Sequence, residues 1–550
     1  MTVQQLADEQ LEILCLTDPL EATLFGLPGY DHLLSDLSED GEAALRDRES
    51  GVAARAAAID KSTLDTQDAI TLGVIEQQAR SRMDIIDARG LEYTVAGLFV
   101  SPAAQLLSFM PLITLPDAER VQLYLERLRA VPGYLAAAGQ RHRDGVAAGR
   151  VPVATLVKGA IAQLDRYLSA PADLFASQQL PPGTEHLAAE RDQVIADVVR
   201  PAFTTYRDLL TTEILQHGRP DERPGVCHLP GGDTIYSALS RVHLTIERSA
   251  DELHQIGLDI ADQLAEEYAT IGAKVFGITD RAEIFARMTT DPALRWSSAE
   301  ELLTAAERTV RRAEAVAPQW FGLISTQPCK VEPVPAAEAP SAPTAYYVIP
   351  SVDGSRDGIY FANTHEAEKR DRFTSEVIAF HEAVPGHHLQ LSIAQNLDLP
   401  LVRKIWPVNV YAEGWGLYTE RLADEMGLYS SDLDRLGMLA MDSLRAGRLV
   451  VDTGLHAKGW TRAQAISYLR TNTPLSELEI TAEVDRYIAF PGQALAYMVG
   501  RLEIQRLRRH AESTRGPAFD IKSFHDTILS NGTLPLNILE KVVTTSLQSP

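Results

Sequence analysis

Apolar side chains recur at helical spacing through most of residues 1–320, and this periodicity constrains the fold more than any other feature of the sequence. Segments such as ITLGVIEQQARSRMDII and DELHQIGLDIADQLAEEYATIG carry apolar residues at i, i+3, i+4 and i+7, which is typical of helices that bury one face. Clusters of glycine and proline separate these segments. Beyond Arg370 the pattern continues almost to the end of the chain. We therefore predict a mainly α-helical protein.

One segment departs from this pattern. Residues 331–344 read VEPVPAAEAPSAPT, and their four prolines predict an extended, helix-free connector. Residues 345–363 follow, with β-branched and aromatic runs on either side of the turn sequence DGSRDG, which predicts a β-hairpin. We expect a large helical body around a deep cleft, with this small β-hairpin near the active site.

A chain of 550 residues is too long for one compact core. The connector suggests a division into an N-terminal helical lobe, residues 1–330, and a catalytic helical lobe with the hairpin, residues 331–550. We expect the two lobes to form one continuous structural unit.

Charge and composition exclude several classes of partner. Lysine and arginine number 51 against 75 acidic residues, and the net charge of −24 repels phosphate backbones, so no nucleic acid partner is expected. The longest uncharged stretch, residues 93–116, contains three prolines and predicts a buried helix-loop-helix rather than a membrane span. Cys15, Cys227 and Cys329 are odd in number and far apart, which favours buried free thiols. With no basic and apolar leader at the start, we expect a cytoplasmic protein without a membrane partner.

The segment HEAVPGHHLQ concentrates metal-binding chemistry. His381 and Glu382 are followed by His387 and His388, whereas the usual zinc-peptidase motif has two histidines four residues apart with the glutamate as general base. On a regular helix, His381 and His387 differ by about 600° of rotation, and His381 and His388 lie about 10.5 Å apart along the axis. Neither pair chelates zinc from an unbroken helix, because zinc–nitrogen bonds are about 2.0–2.1 Å long.

Pro385 and Gly386 resolve this difficulty. Proline cannot donate a backbone hydrogen bond, and glycine tolerates unusual dihedral angles, so two extra residues are expected to bulge out of the helix. The bulge would bring His387 to His381. We prefer His387 over His388 because it directly follows the glycine. The alternative is that these histidines lie near a helix break without binding a metal.

A third ligand is expected from the segment NVYAEGWGLYTERLADEMG. Glu413 would complete a site of two histidines and one glutamate, which leaves the fourth position of zinc open for water. Glu420 lies on the same helical face, but we interpret it as a surface charge. The cofactor prediction is therefore one Zn²⁺ ion held by His381, His387 and Glu413.

Three segments, HEAVPGHHLQ, YAEGWGLYTE and DRYIAFPGQALAYMVG, resemble a large bacterial family known only as domain of unknown function number eight-eight-five. The resemblance covers nearly the whole chain. The family is in turn distantly similar to helical zinc peptidases of the neurolysin and thermostable-carboxypeptidase type. That resemblance implies a helical cleft and a small sheet whose edge strand aligns the substrate, a part that the hairpin 345–363 would play. The spacing between the two histidines departs from the peptidase motif.

Helical zinc peptidases also commonly place a late tyrosine against the tetrahedral oxyanion, and hydrogen-bond donors act where such charge develops. Tyr487 and Tyr497 are the candidates that this resemblance implies, although tyrosines also pack in cores. Arg486 is suited to bind a substrate carboxylate through two hydrogen bonds, or else pairs with a neighbouring acid. The candidate substrate-binding residues are His388, Arg486, Gln493 and Arg356.

Asp452 and His456 are four residues apart on one predicted helical face. Such a pair can orient a metal ligand, but we favour a plain hydrogen bond within the helix.

These features predict zinc-dependent hydrolysis of peptide bonds in short peptides, with removal of C-terminal residues. Zinc would lower the pKa of its water, and Glu382 would pass the proton to the leaving amine. Two alternatives remain: an amidohydrolase acting on a non-peptide amide or amino-acid conjugate, and an inactive helical binding protein. Glu382 argues against the second, because zinc binding alone does not need a base. The sequence does not indicate an oligomeric state.

Overall fold

The computed structural model describes residues 2–335, 339, 342–352, 356–406 and 408–548. The predicted mainly α-helical fold is confirmed. The first half of the chain contains α1 Val3–Thr17, α2 Pro19–Leu24, α3 Glu39–Ala57, α4 Thr66–Asp87, α5 Pro102–Phe109, α6 Ala118–Ala147, α7 Ala154–Ser169, α8 Leu187–Val194, α9 Arg200–Leu209, α10 Gly232–Leu244, α11 Ala250–Val275, α12 Arg281–Thr290 and α13 Ala299–Val316. The second half contains α14 Ser375–Glu382, α15 His387–Asn396, α16 Leu401–Lys404, α17 Asn409–Glu425, α18 Asp432–His456, α19 Arg462–Asn472, α20 Glu477–Ala489, α21 Ala496–Arg515, α22 Ile521–Leu529 and α23 Leu536–Gln548.

The described residues form one small sheet with the strand order β1-β3-β2, in which β1 is Lys330–Pro333, β2 is Ala345–Val348 and β3 is Ile359–Ala362. β2 and β3 pair antiparallel, so the predicted hairpin is confirmed. Part of its turn, residues 353–355, lies outside the described residues.

β1 is the element that the sequence did not predict. It pairs parallel with β3 and overlaps the start of the connector, which was predicted to be extended and free of helix. An extended backbone of this kind becomes a strand where an unpaired sheet edge offers it hydrogen bonds.

The largest hydrophobic core crosses residue 330. It includes Leu253, Ile260 and Leu264 of α11, which pack against the long helix α18, and it continues through α14, α17 and α21. A second core lies within residues 20–214. The uncharged stretch 93–116 contributes to this second core through α5 and the short turn after it, as predicted. Across the described ranges, no helix combines the length and apolar character needed to cross a bilayer.

The three cysteines are free, as predicted. Cys15 and Cys329 are buried, whereas Cys227 is half-buried.

Candidate metal centre

The segment around Pro385 forms two helices rather than one bulged helix. α14 ends at Glu382 and α15 begins at His387, with Ala383 (φ −102°, ψ −105°) and Gly386 (φ −78°, ψ −130°) outside helical geometry. The predicted single helix is therefore wrong in detail. A side chain at Gly386 would lie 1.8 Å from the carbonyl oxygen of His381, so only glycine allows the chain to pass this closely.

This break brings the predicted ligands together. The Nε2 atoms of His381 and His387 lie 3.4 Å and 3.5 Å from Oε2 of Glu413. The two imidazole rings are nearly perpendicular, at an interplanar angle of 88° and a centroid distance of 4.7 Å. One potential ligand atom from each residue lies within 4.8 Å of the others.

These distances fit a zinc ion. Two ligand atoms about 2.1 Å from zinc, at a tetrahedral angle, lie about 3.4 Å apart. Two histidines and one glutamate also match the donor set of zinc sites that keep an open position. His381, His387 and Glu413 are thus able to hold the ion without rearrangement of the backbone.

Helix α17 positions the glutamate and buttresses the histidine. Gly416 lies one turn after Glu413, and a side chain there would come within 2.7 Å of the His381 ring. The indole Nε1 of Trp415 donates a 3.0 Å hydrogen bond to the carbonyl oxygen of Pro385. The same helix therefore presents a ligand, makes room for a second ligand and fixes the connection between α14 and α15.

Glu420 is a buried partner of the site, so its interpretation as a surface charge is wrong. Its side chain is 1% exposed, and Oε1 lies 2.8 Å from Nδ1 of His381. It stands two turns after Glu413 on the same face of α17, which is why both carboxylates reach one imidazole from opposite nitrogens. A carboxylate on Nδ1 fixes the tautomer and orientation of a ligating histidine. Arg445 of α18 lies 3.6 Å from the same carboxylate oxygen.

The electrostatics of the cluster favour a bound cation. Burial opposes ionisation of Glu413, but hydrogen bonds to both histidines hold its pKa well below the usual range. Burial also disfavours a charged His381, yet hydrogen bonds to Glu413 and Glu420 raise its pKa to about 9. The carboxylates thus supply the negative potential that a metal ion requires, and a metal would replace the proton on His381.

Glu382 ends α14, next to His381. Its side chain is half-buried, and no hydrogen bond or ion pair holds its carboxylate within the described part of the chain. Burial and the charge of Glu382 together raise the pKa of Tyr360 in β3. The Glu382 carboxylate therefore lies at the end of α14, on the side of the sheet.

His388 belongs to the sheet side rather than to the cluster. Its Nδ1 lies 3.0 Å from the hydroxyl of Tyr347 in β2, and Nε2 lies 2.9 Å from the carbonyl oxygen of Gln327. Burial lowers its pKa. His388 was expected to bind substrate. Both of its ring nitrogens are instead engaged within the protein, and its side chain connects α15 to β2.

The two candidate tyrosines differ in position. The ring of Tyr497 stacks at 6.4 Å from that of His381, and the charge of Glu413 acts on its hydroxyl. Tyr487 is fully buried and donates its hydroxyl proton to Glu483. Tyr497 thus borders the cluster, whereas Tyr487 belongs to a polar network behind it.

Of the remaining candidate substrate-binding residues, Arg486 and Gln493 lie near Tyr497, whereas, among the described residues, Arg356 does not contact the cluster. Arg486 donates hydrogen bonds to Gln493 at 2.5 Å and to Glu483 at 3.1 Å, beside Tyr497. Arg356 instead donates to the backbone carbonyl oxygens of Leu24 and Ile349, at 3.2 Å and 3.1 Å. Its guanidinium group therefore ties the hairpin to the end of α2.

Asp452 and His456 do not bond to each other. Asp452 accepts hydrogen bonds from the hydroxyl of Tyr236 and the backbone of Gly492, while His456 contacts Val226 and Tyr487. The predicted hydrogen bond within the helix is wrong, because both side chains tie other segments to α18.

The fold and the cluster define a large, mainly α-helical protein with a candidate mononuclear metal centre at the junction of two helices. The chain belongs to the family described as "Bacterial protein of unknown function (DUF885)", which it matches over residues 19–543. No curated protein matches it.

Two solved structures share the fold. "The putative lipoprotein from Colwellia psychrerythraea" is 28% identical, with a TM-score of 0.91 and coverage of 100% of both chains. "A putative lipoprotein of unknown function from Shewanella oneidensis" is 18% identical, with a TM-score of 0.76 and coverage of 99% of this chain and 100% of the other. The second similarity shows the fold alone.

The predicted cytoplasmic location is wrong in the light of this comparison. The Colwellia protein, which is similar over its whole length, is described as a putative lipoprotein, and a lipoprotein is membrane-anchored or secreted rather than cytoplasmic. The prediction had rested on the composition of the first residues, and that composition does not determine the cellular location of the protein.

Proposed function

We propose that the protein is a zinc-dependent hydrolase of peptide bonds that acts on short peptides. The observation that carries this proposal is the convergence of His381, His387 and Glu413, with Glu382 beside them and uncommitted. These three side chains would hold a zinc ion, which would supply a Lewis acid and lower the pKa of a water molecule enough for attack on an amide near neutral pH.

The protein side chains divide the remaining work. Glu382 takes the proton of the attacking water and delivers it to the leaving amine. Tyr497 donates a hydrogen bond from its hydroxyl group to the oxyanion that develops at the carbonyl oxygen. Glu420 keeps the Nε2 atom of His381 aimed at Glu413 and the cation.

The edge of β2 that faces away from β3 supports a peptide rather than another amide. Asn363 donates a 3.0 Å backbone hydrogen bond to Thr344, just beyond the paired strands. Hydrogen-bonded and non-hydrogen-bonded pairs alternate in an antiparallel ladder, so the backbone groups of Ala345 and Tyr347 point away from β3. An extended peptide adds to such an edge by main-chain hydrogen bonds, which hold many sequences equally.

This edge lies beside the cluster. Ala345 and Tyr347 share a hydrophobic core with Ala379 and Ala383, which flank His381 and Glu382. The side chain of Tyr347 reaches His388, the neighbour of the ligand His387. A peptide on β2 would therefore pass close to the ligand helices.

The test combines metal analysis with a peptide digest. We expect about one zinc per chain for a mononuclear open site, and cleavage of a library of short peptides. His381→Ala should lose the metal. His365→Ala, an exposed histidine after β3, is the matched control and should keep it.

The Glu382→Gln variant separates catalysis from binding. It should retain zinc and lose turnover, because the base is not a ligand. Loss of zinc in this variant would mean that Glu382 is a ligand, and full zinc content in His381→Ala would overturn the metal site. Zinc binding without cleavage of any peptide or amide would favour an inactive binding protein.

A further inference from the structure

Arginines surround the tyrosine that borders the metal cluster. The Arg448 guanidinium carbon lies 4.4 Å from the centroid of the Tyr497 ring, and that of Arg445 lies 5.8 Å away. The charge of Arg486 also acts on Tyr497. Because the Tyr497 ring also stacks near His381, only this ring separates the arginines from the proposed metal site.

Arg448 is buried with an unsatisfied donor. Its side chain is 7% exposed, and Nε and Nη2 donate to Glu483 at 3.1 Å and 3.0 Å. Nε also lies 3.2 Å from the hydroxyl of Tyr487. Nη1 has no hydrogen-bond partner among the described residues. A buried guanidinium donor without an acceptor is costly, so an acceptor from outside the described residues would stabilise this site.

Glu483 is the carboxylate that pairs with both Arg448 and Arg486. Burial opposes ionisation of Glu483, but the charges of Arg448 and Arg486 hold its pKa well below the usual range. Other carboxylates lie near the arginines around Tyr497: Glu420 is 3.6 Å from Arg445, and the charge of Arg445 also acts on Asp442.

We propose that Arg448 and Arg486, with Tyr497 between them and the metal, bind the free carboxylate of a substrate's C-terminal residue. This inference rests on the proposed peptidase function and names its substrate class. A planar guanidinium group matches a carboxylate through parallel charge-assisted hydrogen bonds. A carboxylate held there places the preceding amide bond towards the ligands, so the protein removes residues one at a time from the C-terminus.

The experiment compares one substrate in two forms, N-acetyl-alanyl-phenylalanine and its C-terminal amide. Hydrogen bonds to charged groups contribute about 1.5–3 kcal/mol, so kcat/KM should favour the free acid by about 10- to 150-fold. Arg448→Met should move this ratio towards unity, mainly through KM. Arg470→Met is the matched control, since Arg470 is exposed and paired with Glu477, and it should leave the ratio unchanged.

A binding measurement does not depend on turnover. Calorimetry should show that the protein as purified binds phenylalanine more tightly than phenylalaninamide, and that Arg448→Met loses the difference. If Arg448→Met fails to fold, Arg486→Met provides the same measurements. Equal hydrolysis of acid and amide by the unmodified protein would overturn the subsite and leave the proposed function standing. If neither the acid nor the amide is hydrolysed, the result counts against the proposed function. The calorimetric comparison then tests the carboxylate subsite by itself.

Discussion

The Nδ1 atom of His381 lies 2.8 Å from the Oε1 atom of Glu420, while its Nε2 atom faces Glu413. The imidazole is held from both sides by carboxylates of one helix. Glu420→Gln should weaken zinc affinity by about 10- to 100-fold, because the neutral amide aligns and polarises the ring less well. Competition with a chelator of known affinity measures this. Glu425→Gln, an exposed change on the same helix, should have no effect, and an equal loss in both variants would contradict the assigned role of Glu420.

Gly416 tests how tightly the ring is confined. In Gly416→Ala the new methyl group would meet Cε1 and Nε2 of His381 at 2.7 Å, so the ring must move away from Glu413. We expect at least about a tenfold loss of zinc affinity, as for other changes in the support of a ligand. Gly159→Ala in α7 is the control, because nothing lies within 4 Å of the added carbon. Normal zinc content in Gly416→Ala would show that the ring has more freedom than these distances allow.

The variants Tyr497→Phe and Tyr487→Phe each remove one hydroxyl group and can be compared directly. Tyr497→Phe should lower kcat by about 10²–10³-fold with little change in Tm, because it removes a donor to the oxyanion. Tyr487→Phe should act chiefly on stability, at a cost of about 1–2 kcal/mol, since Glu483 and Arg448 each lose a buried partner. The reverse result, with the larger loss of kcat in Tyr487→Phe, would exchange the two roles.

Glu49 of α3 predicts a pH dependence far from the metal. Burial raises the pKa of this carboxyl from 4.5 to about 7, and Oε2 of Glu49 and Oε1 of Gln10 both lack partners among the described residues. Between these two pH values the folded protein keeps the proton that the unfolded chain has lost, so stability falls as pH rises through this window.

Glu49→Gln removes that titration and supplies a donor to Gln10. The stability of this variant relative to the unmodified protein should grow by about 2–3 kcal/mol between pH 5 and pH 8, measured by denaturant titration. Glu12→Gln, an exposed change on α1, should show no such trend. A constant difference across the pH range would mean that Glu49 is ionised in the folded protein throughout.

The approach of His381 to His387 was predictable from the sequence because Pro385 and Gly386 have strong local preferences. Their position between His381 and His387 predicted a break, and the structure brings the two rings together there. The form of the break was not accessible. Whether two extra residues bulge or separate two helices depends on what packs against them, and Trp415, which holds the carbonyl of Pro385, is distant in sequence.

The residues that sequence analysis missed share one property. Glu420 and Arg448 are charged residues on helices, and such residues usually face solvent. Glu420 did have a local indication, since it shares a helical face with Glu413. For Arg448 the indication was the apolar character of α18, whose residues from Leu436 to His456 are all buried, so that any charge on it requires partners. The partners themselves, such as Glu483, come from other helices and carry no motif.

The fold was predicted in outline for a similar reason. Helical periodicity is local and was sufficient for the mainly α-helical class, whereas the pairing of β1 with β3 joins Lys330 to Ile359 across the connector. No short-range pattern specifies such a partner.

Helix α17 contributes Glu413, Trp415, Gly416 and Glu420 to one site, so these contributions are gained or lost together. If α17 swings away from α14, the cation loses an oxygen ligand, His381 loses both of its carboxylates, and the loop at Pro385 loses its anchor. We therefore expect no intermediate in which α17 keeps some of these contacts with the site and has lost the others. Zinc loading should therefore be all-or-none, and the ion should leave in the same cooperative step in which this helix undocks.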